Sequence, residues 1–213
     1  MKTLLKLFVL PALAVSVLAG CETQDNAAAS AAAPAVEATA KDLLVSSMKA
    51  KNQATMDRLN QDELQAACSN ANNMAGDAAA MEALRKAAEA SVVYPADGNY
   101  IGDWKNGNAI AANGKGLQWN DDPSEPNGGN CYACHQLDPN EVAYGTLGPS
   151  LTNYGMRGQS EMMLKYTWAK IYNPHVYNVC SHMPRFGSQK ILTEQQLKDI
   201  MALLLDPNSP VNQ

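Results

Sequence analysis

Basic residues are in short supply. The 213-residue chain has 16 Lys and Arg against 21 Asp and Glu, a formal charge of −5 at pH 7, which argues against nucleic acid as a partner. Aromatic side chains are scarce as well, at 6%, with Phe present only twice. Alanine-rich helices so poor in rings fit a core that a bound group completes. No internal repeat is visible, which removes stacked-repeat architectures. Of five cysteines, one pair alone stands three residues apart, Cys131 and Cys134, so a zinc site built from two C-x-x-C knuckles is excluded. The residues before that pair are Pro126-Asn127-Gly128-Gly129-Asn130, not the strand that leads into a thioredoxin-like redox pair.

What stands at that place is Cys131-Tyr132-Ala133-Cys134-His135. Two cysteines three apart with histidine directly after the second is the pattern for covalent attachment of c-type haem. Each thiol adds across one vinyl group of the porphyrin, and the adjacent imidazole ligates the iron. Cys131, Cys134 and His135 are therefore the expected attachment and ligand residues for one haem c.

Residues 1–20 carry Lys2 and Lys6 ahead of an apolar run from Leu7 to Leu18, the pattern of a secretory signal peptide. Leu18-Ala19-Gly20-Cys21 resembles a bacterial lipobox, which makes Cys21 the expected lipidated N-terminus; an uncleaved anchor is the alternative. Acyl chains at Cys21 would hold the protein stably at a membrane surface, and Glu22 after the cysteine points to the outer membrane. A periplasmic location also suits haem attachment and an oxidising compartment. Removing residues 1–20 leaves 14 basic residues against 21 acidic ones and a charge of −7.

Residues 21–40 are Ala-rich and without apolar period, and read as a flexible lipid-anchored tether. Residues 41–100 read as a helical extension. Asn60 and Glu63 resemble a capping box, with Leu64, Ala67, Cys68 and Ala71 on one face. Asp77 is the expected cap of a second helix through Met81, Leu84, Ala88 and Ser91. The extension has no evident chemistry, and its alanine-leucine face suits packing on the following domain or on a partner. Residues 101–213 read as the haem domain. Asp103 caps a helix from Trp104 to Asn113, and Thr193 with Gln196 opens another that places Leu197, Ile200, Met201 and Leu204 on one face and stops at Asp206-Pro207.

After the haem motif comes Gly145-Thr146-Leu147-Gly148-Pro149-Ser150-Leu151, which resembles the Gly-Pro-x-Leu loop of class I cytochromes c. That resemblance implies that the Pro149 carbonyl accepts the ring N–H of His135 and fixes its orientation. It also implies an all-α, class I cytochrome c-like domain whose first and last helices cross, here at Gly107 and Ala111. Four residues compete for the sixth iron position: Met183, His182, Cys180 and His175. Met183, in Ser181-His182-Met183-Pro184-Arg185-Phe186-Gly187, lies where class I cytochromes keep their axial methionine and is preferred. His182 comes second, and His175 reads as part of a turn after Pro174. Ligation by His and Met leaves no open position for substrate and favours electron transfer. Cys68 and Cys180 are left as a possible disulfide, against two buried free thiols or a redox-active Cys180.

From about residue 101 onward the chain resembles the SoxX family, small monohaem cytochromes of the SoxAX complex of bacterial sulfur oxidation. Gly102-Asp103-Trp104-Lys105, Gly129-Asn130 with the haem motif and Gln136, the Gly145–Leu151 loop, Ile171-Tyr172-Asn173-Pro174, Met183–Gly187 and Ser209-Pro210-Val211-Asn212 carry the resemblance. It implies a heterodimer with a SoxA-like haem subunit, together an L-cysteine S-thiosulfotransferase that joins thiosulfate to a cysteine of a SoxYZ-like carrier protein. This chain would relay electrons to an acceptor cytochrome and hold no catalytic residue, with Arg185 and Phe186 lining the haem edge or Arg185 pairing a propionate. A free-standing, lipid-anchored cytochrome of a respiratory chain is the alternative.

Overall fold

The computed structural model describes residues 39–69 and 77–213. The expected signal peptide, Cys21 and Ala71 lie outside them. The chain divides into two compact units at Ser46. In the first, residues 39–46 are helical, continuing to residue 47, with the Ser46 hydroxyl donating to Leu43 O at 3.0 Å. Thr39 and Ala40, expected as the end of the tether, thus already belong to a helix.

The second unit, Ser47–Gln213, joins most of the expected extension to the haem domain as one body. It contains α1 (Glu63–Ser69), α2 (Ala78–Ala90), α3 (Trp104–Ala112), α4 (Glu161–Tyr172) and α5 (Glu194–Leu205), linked by loops and short 3-10 turns. Among the described residues β pairing is confined to one isolated bridge, between Lys51 and Ala54. The fold is all-α and class I cytochrome c-like.

Helix α5 begins where the sequence places it: the Thr193 hydroxyl accepts from Gln196 N at 3.2 Å, and Gln196 Oε1 accepts from Thr193 N at 3.0 Å. Reciprocal bonds of this kind satisfy donors that a helix start otherwise leaves bare. The expected stripe of Leu197, Ile200, Met201 and Leu204 is buried, but so are Lys198, Asp199, Ala202, Leu203 and Leu205. A helix buried on every side is a central strut. Its two buried charged residues are accommodated by partners: Lys198 pairs with Asp97 and Glu194, and Asp199 Oδ1 accepts from Asp103 N and Gln195 Nε2.

Asp103 caps α3 by accepting from Lys105 N at 2.8 Å. The α3–α5 crossing falls at Gly107 and Ala111, as the sequence predicts: a Cβ on Gly107 would stand 2.1 Å from Asp199 O, and Ala111 is fully buried. Backbone meets backbone there because glycine leaves the room.

Three stretches of the expected extension pack on the haem domain. Near its start, Asn52 donates to Trp119 O, Gln53 to Asp122 O and Arg58 to Leu117 O, while the Lys51 ammonium lies 4.3 Å from the Trp119 ring centre. At its end, Trp168 Nε1 of α4 donates to Val93 O at 2.9 Å and Asn173 Nδ2 to Ser91 Oγ at 2.8 Å. Between them, α1 is tied to the loop after α4 by an Asp62–Arg185 ion pair and a Cys68–Cys180 disulfide. One capping detail differs from the sequence reading. The box at the start of α1 is Asp62 with Gln65, not Asn60 with Glu63: Gln65 N donates to Asp62 Oδ1 at 2.8 Å and Asp62 N to Gln65 Oε1 at 3.0 Å. Carboxylate and amide outcompete the displaced pair because the helix begins two residues later. Asp77 caps α2 through Ala80 N at 2.9 Å.

Candidate haem site

The Cys131-Tyr132-Ala133-Cys134-His135 motif forms a tight 3-10 turn over Cys131–Ala133, entered through Asn130 in the left-handed region at φ 47°. Asparagine tolerates that conformation better than most side chains. The loop that follows is zipped against this turn. Gly145 N donates to Tyr132 O, Gly148 N to Cys134 O and Leu151 N to Gln136 O, each at 2.8 Å. The approach needs glycine at two places: a Cβ on Gly145 would stand 1.8 Å from Ala133 O, and one on Gly148 would stand 2.1 Å from His135 Cε1.

This zipper carries Pro149 to its position. Its carbonyl lies 2.7 Å from His135 Nδ1, and a carbonyl can only accept, so Nδ1 carries the proton. In a neutral imidazole the electron pair is then at Nε2. His135 is thereby preset as a ligand through Nε2, with its ring held by Pro149 and by the Gly148 backbone.

Cys131 and Cys134 are both free thiols, half-buried, three residues apart on one turn. Burial pushes the Cys131 thiol up to about 12, so its sulfur is uncharged where it meets the core. Cys131 packs against the central core cluster together with Ile110, Leu151 and Met183. The donor set fits a c-type haem: two unbridged thiols for the vinyl groups, an oriented imidazole, and a thioether beside the same core.

The four rivals for the sixth position separate in space. Met183 is half-buried against the core, whereas His182 is exposed. Cys180 is bonded to Cys68, a pair with Cα atoms 5.5 Å apart. His175 is buried in the Pro174–Val176 turn, and its Nδ1–H donates to Val179 O. Burial holds the His175 imidazole below its ordinary value despite that carbonyl and despite Asp62 nearby.

Phe186 is a core residue, 6% exposed, and the Arg185 guanidinium pairs with Asp62 at 2.6 Å. Asp62 was missed as a partner because its neighbour lies over a hundred residues away; the visible signal was the Asp-x-x-Gln spacing that opens α1. Burial works against its ionisation, but the Gln65 N–H and Arg185 outweigh it and hold its carboxyl below the usual carboxylate range.

Residues 105–206 match the family model described as Cytochrome c. A protein of Aquifex aeolicus described as an uncharacterized lipoprotein is 41% identical over 155 residues, spanning 71% of this chain and 73% of that one. The aligned length reaches beyond the haem domain, so the similarity is not limited to the attachment motif. On these matches, joined to the way His135 is held, the chain belongs to the cytochrome c family: electron-transfer proteins that bind haem c covalently.

Proposed function

We propose that this chain is a lipid-anchored, single-haem electron carrier with His135 and Met183 as axial ligands, serving as the haem-relay subunit of a SoxAX-type heterodimer. The observation that carries the ligation is the 2.7 Å contact of His135 Nδ1 with Pro149 O, joined to the packing of Met183 against the same core cluster as Cys131. A haem bound there supplies a one-electron couple, raised in potential by the thioether relative to two histidines. Cys131 and Cys134 would hold it covalently, and Pro149 and Gly148 would orient His135.

The sulfur role rests on the sequence blocks shared with the SoxX family. Joining thiosulfate to a carrier cysteine forms one S–S bond and releases two electrons and one thiol proton. A single haem iron takes one electron at a time, so this chain would pass two in succession from a SoxA-like subunit to an acceptor cytochrome. No residue here touches thiosulfate in this reading. Lipid attachment at Cys21 is supported by the lipobox-like sequence and by the lipoprotein name of the Aquifex aeolicus relative, and placement on the periplasmic side of the outer membrane by the haem motif and Glu22.

A free-standing carrier is the second reading, favoured by one observation: residues 51–58 and 91–93 are engaged by the chain's own haem domain. Affinity purification from the native host, haem staining and a thiosulfate-dependent turnover assay with carrier protein decide between them. A second haem subunit with turnover supports the heterodimer; a lone haem protein without turnover leaves the free-standing carrier. In the same preparation Met183→Ala is expected to lower the midpoint potential while haem stays attached.

A further inference from the structure

Met183 belongs to a stretch whose two ends are buried and whose middle, apart from Met183 on the core and the Tyr177 ring 4.8 Å from that of Tyr166, is shaped by its own local bonds. Before it, Pro174, His175 and Val176 are buried. After it, Phe186 is buried, Gly187 N and Ser188 N donate to Tyr172 O at 3.1 Å, and Ile191 N and Leu192 N to Phe186 O at 3.0 Å. In the middle, the N–H groups of Asn178, Cys180, Ser181 and Met183 are bonded to Pro174, Asn178 and Ser181. Bonds of that kind shape a loop but do not set its distance from anything else.

Among the described residues, two links tie this stretch to the N-terminal segment. Cys180, three residues before Met183, is bonded to Cys68; Arg185, two residues after it, pairs with Asp62 at 2.6 Å. Asp62 and Cys68 sit at opposite ends of α1, and Asp62 is itself fixed by its bonds with Gln65. The short helix therefore spans the loop like a bar across two posts. The Arg185 side chain is only 16% exposed, so losing its carboxylate would leave a poorly solvated charge without a partner.

We infer that α1 clasps the Met183 loop, making Cys68, Cys180, Asp62 and Arg185 positioning residues that keep Met183 on the iron; this rests on the reading of Met183 as axial ligand. Opening the loop with the clasp in place drags α1 along, and opening it without the clasp does not. The apparent affinity of a competing ligand scales with the open fraction, so imidazole added to the oxidised protein measures the clasp directly.

The experiment compares haem-loaded wild type, Met183→Ala, Cys68→Ser/Cys180→Ser, Asp62→Asn and Asp62→Glu. It reads imidazole affinity, the near-infrared thioether-to-iron band and the midpoint potential. Imidazole is expected to bind about tenfold or more tightly to the double variant than to wild type, corresponding to a tenfold larger open fraction. Asp62→Asn shifts the same way by a smaller factor, and Asp62→Glu, which keeps the carboxylate, returns toward wild type. If Met183→Ala abolishes the band while the clasp variants bind imidazole as wild type does, the clasp is overturned and the ligand stands. If Met183→Ala leaves the band unchanged, both fall. Should the double variant fail to mature, Asp62→Asn alone decides by the same criterion.

Discussion

Replacing Gly107 by alanine tests the crossing on which the haem domain is built. The added Cβ would lie 2.1 Å from Asp199 O, 2.7 Å from Asp199 C and 2.9 Å from Leu203 Cβ. Ordinary contact begins near 3.4 Å, so α3 and α5 must part by about 1.3 Å at the point where Ala111 and Leu203 are fully buried. Two effects oppose each other. Alanine in a helix interior gains about 1 kcal/mol over glycine, while overpacking a tight core typically costs about 1–3 kcal/mol. The upper end applies, because the obstacle is helix backbone and has no rotamer to yield. A net loss of about 2 kcal/mol is expected, or a fall in Tm of about 4–8 °C for a chain of this size. Thermal unfolding of the haem-loaded protein measures it, with Asn106→Ala on the exposed face of the same helix as control. The control should match wild type or gain about 0.5 kcal/mol. A Gly107→Ala protein that melts no lower than wild type would refute the tight crossing.

Gly148→Ala should tilt the His135 ring, since its Cβ would meet Cε1 at 2.1 Å. With the Pro149 bond disturbed, ligation is expected to loosen by about 10- to 100-fold, the usual effect of losing an orienting partner, read as the denaturant concentration at which His135 leaves the iron. Removing the Cys68–Cys180 bridge, which spans 112 residues of sequence, should lower global stability by about 2–5 kcal/mol. Denaturant unfolding of Cys68→Ser/Cys180→Ser would contradict this if its midpoint equalled that of wild type.

The pH response has two windows. Burial holds His175 below its unfolded value, so the native state resists protonation there. Its contribution is complete above about pH 6.5 and is lost as pH falls below that. Asp62 is also held low; its contribution is present above about pH 4 and is lost as pH falls through the folded value. Melting curves of wild type, His175→Gln and Asp62→Asn over this range should show the first slope vanish in one variant and the second in the other.

The haem motif was legible because its chemistry is local: two thiols and an imidazole within five residues dictate what they hold. The same holds for the Asp103 and Thr193 caps and for Gly107 and Ala111, whose small size on one helix face already marks a close crossing. The Gly145–Leu151 loop was legible through its family pattern, and the structure adds why both glycines are needed, since neither a Tyr132–Gly145 nor a Cys134–Gly148 approach leaves room for a side chain.

What the sequence left open were pairings between residues far apart along the chain. It made a Cys68–Cys180 disulfide the economical reading, and only the fold brings their Cα atoms to 5.5 Å. It gave Arg185 a choice of partners, and the fold supplies Asp62. It marked one buried stripe on α5, whereas packing on all sides buries Lys198 and Asp199 as well. Spacing along a chain fixes the chemistry and caps of short segments, because those depend on neighbours within a turn or two. Which distant surface each segment meets depends on the summed packing of all the helices. In this protein the sequence by itself determined the haem attachment and the helices that frame it; tertiary structure alone decided that Cys68 and Asp62 of the N-terminal segment meet Cys180 and Arg185 on the loop that carries Met183.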